Sequence, residues 1–366
     1  MKWWHRVIFG FTILAGILYL GAYLAMFISP EFFWPIAFLG LGYFPILCFY
    51  LLNMLIWLFI RRKIFWWMML FFGLGFTAHF RHFSTGALTK ADPEDKPVYT
   101  ILQYNVQGFD AYNKEGKYKY RDEIIANIAQ EKPDVICLEE FNSYANHPKE
   151  VSNLDLVLKA SGLPYYYYFK AYENEKTTRS FGLIILSKFP IVDSGRLEFL
   201  SLSELNSTIY ADIVFPEDTV RVFCSHLQST QLNHRDLEFI EASNEASSDF
   251  DAERITNKLK MSFALRAQEA DTVSRHLRLS PHPAISCGDF NDTPVSYTYQ
   301  RMSRNMQDAF LECGFGIGPT YSQLPIIRID YMLFEEDNFE VINYMRIRDD
   351  FSDHYPCISR FTIDTE

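Results

Sequence analysis

Three long apolar runs open the chain. Residues 7–28, 32–60 and 64–80 carry no Asp, Glu, Lys or Arg and are mostly hydrophobic. As helices the first two are long enough to cross a hydrocarbon core of about 30 Å, and the third stands at the short limit. The pattern predicts a transmembrane region over residues 1–83, with spans over about 7–28, 35–60 and 64–80. Thr77 and His79 interrupt the last run, so a re-entrant or interfacial helix is the alternative there. The first run is too long for a cleaved signal peptide and lacks a small-residue cleavage pattern. Lys2 and Arg6 precede the first run, Arg61, Arg62 and Lys63 separate the second from the third, and the short loop at 29–31 has no basic residue. The excess of Lys and Arg assigns the N-terminus and the Arg61 loop to the cytoplasmic side. Three crossings then place the rest of the chain on the extracytoplasmic side; two would leave it cytoplasmic.

From residue 84 the pattern changes. Residues 84–97 are polar, with Gly86, Pro93, Pro97 and mixed charge, and read as a linker. Beyond it, in a domain spanning 98–366, short β-branched and aromatic runs alternate with a few amphipathic stretches. Strands are predicted over 98–106, 134–141, 181–187, 196–201, 209–215, 220–226, 284–289, 339–346 and 357–363. Helices are predicted over 118–130, 154–160 and 261–277, the first with Ile124, Ile125 and Ile128 on one face and Pro133 after its end. The aromatic run 165–168 reads as a partly buried strand at a core edge. The polar stretch 232–279, with an acid-rich middle at 238–253, reads as an insertion. Many strands with few helices predict an α/β fold, a four-layer sandwich of two packed mixed β-sheets flanked by helices.

Charge narrows the function. Residues 1–83 hold six Lys or Arg and one acid, a net of +5, so the remainder carries −16 of the total of −11. A protein that grips long nucleic acid ordinarily shows a basic stripe, and none is visible. Cys137, Cys224 and Cys287 sit inside apolar runs and read as core thiols; Cys313 and Cys357 are the one plausible disulfide pair.

Several strand ends carry polar residues that a packed core would not choose. Ser286-Cys287-Gly288-Asp289-Phe290-Asn291 breaks a buried strand into a glycine turn with an acid and an amide two residues apart. Asn105 and Glu140 end two other strands. A neutral and an anionic oxygen together suit Mg²⁺, a hard ion that takes one or two carboxylates and keeps several waters. Asp330 is an acid in an apolar run, and a buried Asp needs a partner. His354, preceded by Asp353, can be that partner, fixed in one tautomer by the carboxylate. His226 ends a further strand. Together these residues point to a phosphodiesterase or phosphatase.

The set resembles the endonuclease/exonuclease/phosphatase superfamily, the fold shared by DNase I-like nucleases, AP endonucleases, inositol polyphosphate 5-phosphatases and neutral sphingomyelinases. The matching stretches are Gln103-Tyr104-Asn105-Val106, Asp134-Val135-Ile136-Cys137-Leu138-Glu139-Glu140-Phe141, Gly182-Leu183-Ile184-Ile185-Leu186-Ser187-Lys188-Phe189-Pro190-Ile191, Ser225-His226-Leu227, Gly288-Asp289-Phe290-Asn291, Ile329-Asp330-Tyr331 and Ser352-Asp353-His354, in the family's order. The resemblance implies Asn105, Glu140 and Asp353 as ligands of Mg²⁺ or Mn²⁺. It implies Asp289 as the residue that activates the attacking water, and Asn291 as a phosphate ligand. Asp330 and His354 are implied as the dyad that stabilises the pentacovalent phosphate, with His226 a second imidazole nearby. Glu139 stands where the family carries Gln. Gln107 replaces the Asp of AP endonucleases, which leans away from abasic-site repair. The expected substrate is a phosphoester: a phospholipid head group, a small phosphate ester or nucleic acid, with the lipid bilayer as the other partner. The alternative is a catalytically silent, membrane-tethered binding module with the same fold.

Overall fold

The computed structural model describes residues 3–86, 90, 92–111, 117–145, 150–199, 204–230 and 249–364. The chain divides into two units: Met1–His82 with Thr230–Ala267 and Asp292–Arg301, and the remainder from Phe83 to Glu366.

The first unit is built on helices. α1 (Trp3–Leu24) and α4 (Tyr43–Ile60) are long and apolar enough to cross a membrane. Between them lie α2 (Pro30–Phe33) and α3 (Pro35–Leu41), so the expected single span over 35–60 is interrupted at Gly42. The expected span over 64–80 is likewise two helices, α5 (Arg62–Gly73) and α6 (Phe76–His82), parted at Leu74 and Gly75. Neither reaches the roughly 20 residues that one crossing helix needs.

Polar contacts tie these helices together at successive levels. Trp57 Nε1 donates to Thr12 Oγ1 at 2.7 Å. Tyr50 OH donates to Met68 O at 2.8 Å and Tyr19 OH to Phe72 O at 2.9 Å. Tyr43 OH bonds His79 Nδ1, and Arg81 Nη1 approaches Met26 Sδ at 3.7 Å. Residues 62–82 therefore run from beside the end of α4 to beside its start. The opposite faces stay apolar and exposed: Ile13 and Ile17 on α1, and Leu52, Leu55 and Phe59 on α4.

The second unit has two mixed six-stranded sheets. The 84–97 stretch enters with β1 (Ser84–Thr85), and Lys90 N–H donates to Ile342 O. The first sheet contains β2 (Tyr99–Asn105), β3 (Val135–Tyr144), β4 (Tyr165–Asn174) and β5 (Arg179–Ser187). The second contains β6 (Ile191–Arg196), β7 (Ser207–Val214), β8 (Thr219–His226), β9 (Ala284–Asp289) and β10 (Met306–Asp308). β11 (Phe315–Gly316) pairs with β1, and β12 (Asp330–Glu335) completes the second sheet. β13 (Phe339–Arg346) and β14 (Cys357–Ile363) complete the first. The orders are β13-β14-β2-β3-β5-β4 and β10-β12-β9-β8-β7-β6. Each sheet has one parallel pair, β2 with β3 and β8 with β9, and is otherwise antiparallel.

Side chains alternate between the two faces of a strand. Ile101, Val135, Cys137, Val222, Cys224, Ile285, Cys287 and Met332 face the core between the sheets. Leu102, Ile136, Leu138 and Ile184 face outward. They pack on α8 (Arg121–Gln130) and α9 (Asn153–Ser161) through Ile124, Ile125, Ile128 and Val157, after a short α7 (Gln107–Asp110). α10 (Asp249–Arg278) covers the predicted helix at 261–277, and residues 232–248 of the polar insertion lie outside the described residues.

Two expectations are corrected. Of the strand expected at 196–201, residues 200 and 201 lie outside the described residues, and among the rest only Arg196 is in a strand, Ile191–Arg196; its ladder on β7 ends at Arg196 opposite Ile209, with one further bond from Leu197 N–H to Thr208 O. Cys313 and Cys357 are both free. Cys313 Sγ faces Val341 O at 3.7 Å, whereas Cys357 Sγ accepts from Tyr344 OH at 3.2 Å.

Candidate active site

The topology brings the polar strand ends together. β2 ends at Asn105, beside Glu139 of its parallel neighbour β3, which runs on to Tyr144 past a register shift. β8 and β9 end with His226 beside Asp289. β12 runs antiparallel to β9, so its first residue, Asp330, falls opposite Asp289. By the same alternation that buries Cys137, Cys224 and Cys287, the side chains of Asn105, Glu139, His226, Asp289 and Asp330 share the inter-sheet side.

Asp289 lies at the centre. Asn105 Nδ2 donates to Asp289 Oδ2 at 3.2 Å and reaches Glu140 Oε1 at 3.4 Å. The Asn291 backbone N–H donates to Asp289 Oδ1 at 2.8 Å, closing an Asx turn with Asn291 at φ 54°. Asn291 Nδ2 donates to Leu227 O at 3.1 Å, fixing the turn to the end of β8. Two imidazoles approach the same oxygen: His354 Nε2 at 3.7 Å from Asp289 Oδ2 and His226 Nε2 at 3.8 Å. His226 Nε2 is also 3.8 Å from Glu140 Oε1. Gly288 makes this approach possible. At φ 142° it lies so close to β8 that a Cβ would stand 2.0 Å from Ser225 O.

Asp330 and His354 form the expected pair, with Nδ1 of His354 2.9 Å from Asp330 Oδ2. Thr320 Oγ1 accepts from the backbone N–H of both Ile329 and Asp330. Ser352 Oγ donates to Asn105 O at 2.9 Å and accepts from His354 N–H at 3.3 Å, linking the Asp353 loop to β2.

Electrostatics follow from burial and charge. Burial pushes the Asp289 carboxyl up, and the His354 and His226 imidazoles offset part of that push. Asp353 is pushed up to about 6, by burial first, with Glu140 and Asp289 adding to the rise and His354 opposing it. Burial works to lower His354, but Asp330 and Asp289 outweigh it and hold the imidazole well above its ordinary value. Burial, with Asp330 nearby, holds Glu139 well above the ordinary carboxylate range.

Ligand atoms of Asp289, Asp330 and His354 lie within 4.8 Å of one another. Both Asp330 oxygens are already committed, however, Oδ1 to Gln103 and Oδ2 to His354. The more open carboxylate is on the other side, at Glu140, whose side chain is 39% exposed against 2% for Asp289. Asp353 interacts electrostatically with both acids. Oxygen donors of this kind fit a hard divalent cation such as Mg²⁺ or Mn²⁺. Asn105 would join through Oδ1, which now accepts from Gln107 N–H at 3.1 Å.

The eight residues singled out from the sequence thus converge on one edge of the sheets. Two others belong with them. The Tyr321 ring packs edge-on against His354 at 5.2 Å, and burial pushes its hydroxyl up to about 12, with Asp353, Asp289 and Glu140 adding to the rise. Nothing in the polar run around Tyr321 marks it. Gln103 is a fully buried amide at an inward position of β2, and strand alternation alone would have flagged it.

A family model described as "Endonuclease/Exonuclease/phosphatase family" matches residues 102–354, more than half of the chain. The chain belongs to the endonuclease/exonuclease/phosphatase family. A second model, for a domain of unknown function (DUF8431), matches residues 5–83. Among curated proteins none matches the chain. Solved structures share the family fold at low identity. An endonuclease/exonuclease/phosphatase from Beutenbergia cavernae is 18% identical, with a TM-score of 0.52 over 73% of this chain and 72% of that one. The human Nocturnin catalytic domain, solved with a bound sulfate anion, is 16% identical with a TM-score of 0.52, over 73% and 94%. D. rerio TDP2, complexed with single-strand DNA product, is 16% identical with a TM-score of 0.50, over 72% and 99%.

Proposed function

We propose that the protein is a membrane-anchored, divalent-metal-dependent phosphoester hydrolase that works by in-line attack of water. The observation that carries this reading is the convergence on Asp289 Oδ2 of one amide and two imidazoles, Asn105, His226 and His354, with Glu140 beside them.

In this reading Asp289 Oδ2 orients the attacking water and takes its proton. Burial raises the basicity of this carboxylate, which suits a general base. Asp330 holds His354 through Nδ1, so that Nε2–H faces the phosphoryl oxygens and stabilises their growing charge. His226 Nε2 offers a second donor beside Glu140. Asn291 is anchored through one amide hydrogen on Leu227 O and directs the other to a phosphoryl oxygen. Glu140, Asp353 and Asn105 Oδ1 would hold Mg²⁺ or Mn²⁺, which neutralises phosphoryl charge when bound. The substrate is a phosphoester, with phospholipid head groups, small phosphate esters and nucleic acid all compatible with the chemistry.

The helices supply the anchor. The contacts of residues 62–82 with α1 and α4 at successive levels support three crossings, the last as two shorter helices. Arg61, Arg62 and Lys63 would then share the cytoplasmic side with Lys2 and Arg6, and the domain from Phe83 onward would be extracytoplasmic.

The test is hydrolysis by the full chain in detergent micelles with Mg²⁺ or Mn²⁺. Substrates would be bis(p-nitrophenyl) phosphate, phospholipid vesicles, inositol phosphates, nucleotides and single-stranded DNA. We expect metal-dependent turnover that Asp289→Ala and His354→Ala each lower by roughly 100-fold or more. Turnover without added metal, or unchanged in either variant, would overturn the reading. Protease added to intact cells should cut the chain after residue 83; complete protection would sink the extracytoplasmic assignment.

A further inference from the structure

Gln103 and Glu139 lie behind the dyad, at inward positions of adjacent strands in the sealed core between the sheets. Both are fully buried. A buried polar group that has lost its water must be paired. Here one amide nitrogen serves two acids: Gln103 Nε2 donates to Glu139 Oε2 at 2.9 Å and to Asp330 Oδ1 at 3.0 Å. The Cys224 thiol donates to the other oxygen of Glu139, Oε1, at 3.3 Å. Gln103 Oε1 meets no donor among the described residues. The amide is thus held through its donors alone. Turning it over would set Oε1 against two carboxyl groups, so its direction is fixed by what surrounds it.

The consequence reaches the site. With Oδ1 of Asp330 tied to Gln103, Oδ2 is the oxygen left to face His354 Nδ1. A carboxyl group free to rotate about its last bond would share its oxygens between the imidazole and other partners. The amide removes that freedom.

We propose that Gln103 and Glu139 are a positioning pair for the Asp330–His354 dyad. Gln103 orients the Asp330 carboxylate, and Glu139 holds the Gln103 amide in place. The acid at position 139 is then the acceptor that keeps the amide donors turned toward Asp330. Neither residue touches substrate, and the proposal rests on the hydrolase reading for its kinetic consequence alone.

The experiment compares Gln103→Leu, Glu139→Leu and Glu139→Gln with the wild type, as full chains in micelles, using bis(p-nitrophenyl) phosphate and Mn²⁺. Leucine fills the space of either side chain without an amide or a carboxyl. We expect Gln103→Leu to lower kcat about tenfold or more, the effect of one hydrogen bond to a charged group, with KM changed less than about twofold. Glu139→Leu should follow it, and Glu139→Gln, which keeps an acceptor for the amide, should lose much less than Glu139→Leu. A purely structural role does not predict that rescue. In a His354→Ala background, Gln103→Leu should cost less than about twofold, since it acts through the imidazole. Equal losses in the two backgrounds would overturn the proposal, as would an unchanged kcat in Gln103→Leu.

A readout independent of turnover separates this claim from the hydrolase reading. The His354 Nδ1 proton shared with Asp330 should give a far-downfield proton resonance, absent in His354→Ala, that shifts or broadens in Gln103→Leu. If the wild type hydrolyses nothing, the hydrolase reading fails while this resonance still decides the positioning claim. An identical resonance in wild type and Gln103→Leu would refute it.

Discussion

Replacing Gly288 by alanine tests the close approach that builds the site. The added Cβ would stand 2.0 Å from Ser225 O, 2.7 Å from Ser225 N and 2.8 Å from Ser225 C, all backbone atoms of the parallel neighbour β8. No side-chain rotation relieves that contact; the strands must separate. The φ of 142° adds strain of about 1–3 kcal/mol for any residue with a Cβ. Overpacking a tight core adds about 1–3 kcal/mol more. Together they suggest a loss of about 4 kcal/mol. For a unit of this size each kcal/mol moves the melting temperature by about 2–4 °C, so the shift should be about 8–16 °C. Gly162 supplies the control: it has φ 69° at the end of α9, but a Cβ there meets nothing within 4 Å. Gly162→Ala should therefore cost only about 1 kcal/mol, from backbone conformation alone. The assay is thermal unfolding of the full chain in micelles followed by tyrosine and tryptophan fluorescence, with hydrolysis measured beside it. Opening β8 from β9 also parts His226 from Asp289, so Gly288→Ala should lose turnover where Gly162→Ala does not. Equal melting shifts in the two variants, or Gly288→Ala with wild-type turnover, would refute the argument.

Arg328→Leu should destabilise the second unit by about 3–5 kcal/mol, because Asp308, 2% exposed and 2.6 Å from the guanidinium, would be left as a buried charge; an unchanged melting temperature would show the pair to be dispensable. Asp353 gives a pH test. Its folded pKa of about 6 lies above the ordinary 3.8, so its stabilising contribution is complete below pH 3.8 and is lost as pH rises through 6. In EDTA, wild type and Asp353→Asn should melt together near pH 4, with the variant more stable by about 3 kcal/mol at pH 7. Added Mn²⁺ should reverse the order, and a difference that does not vary with pH would refute the assignment. Tyr321→Ala should raise KM more than it lowers kcat if the ring that packs on His354 also lines the substrate's path; a loss confined to kcat would assign it to the chemistry instead.

The legible part of this protein is whatever follows from period and position along single strands. Buried runs ending in Asn105, Asp289 and His226 became strands because their β-branched and aromatic residues fit a pleated, covered sheet. Their polar ends were visible as misfits. The two sheets were legible from the number of strands, yet the order within them was not. That order depends on pairings such as β2 with β14, between residues about 250 positions apart, which no local pattern records. The helices show the converse limit. Hydropathy reports apolar length and not continuity, so the breaks at Gly42 and at Leu74–Gly75 did not show in two uniformly apolar runs. Tyr321 was invisible for a similar reason: its role comes from an isolated bridge to His354 formed outside any regular strand.

The pair Glu139 and Glu140 shows how one backbone irregularity decides chemistry. Strict alternation along β3 turns Val135, Cys137 and Glu139 inward, and Ile136, Leu138 and Glu140 outward. On that pattern Glu140 would end among Leu138 and Tyr104, in the apolar layer beneath α8. The ladder with β5 instead shifts register between Leu138 and Phe141, and Glu140 takes φ 50°, an uncommon conformation for a glutamate. The extra residue of a bulge resets the alternation. Phe141, which by parity should face inward, packs with Leu138 and Phe109 in the outer layer. Glu140 is left between the two faces with its carboxyl beside Asn105 and His226. Two adjacent acids thus acquire opposite environments: Glu139 sealed in the core against Gln103, Glu140 open at the edge where a cation can reach it. Deleting one residue from the bulge should restore the alternation and bury the second acid in the apolar layer. Such a chain should lose divalent-metal binding in calorimetry even where Asp289, Asp330 and His354 are intact, and retained binding would show that Glu140 is not the principal ligand.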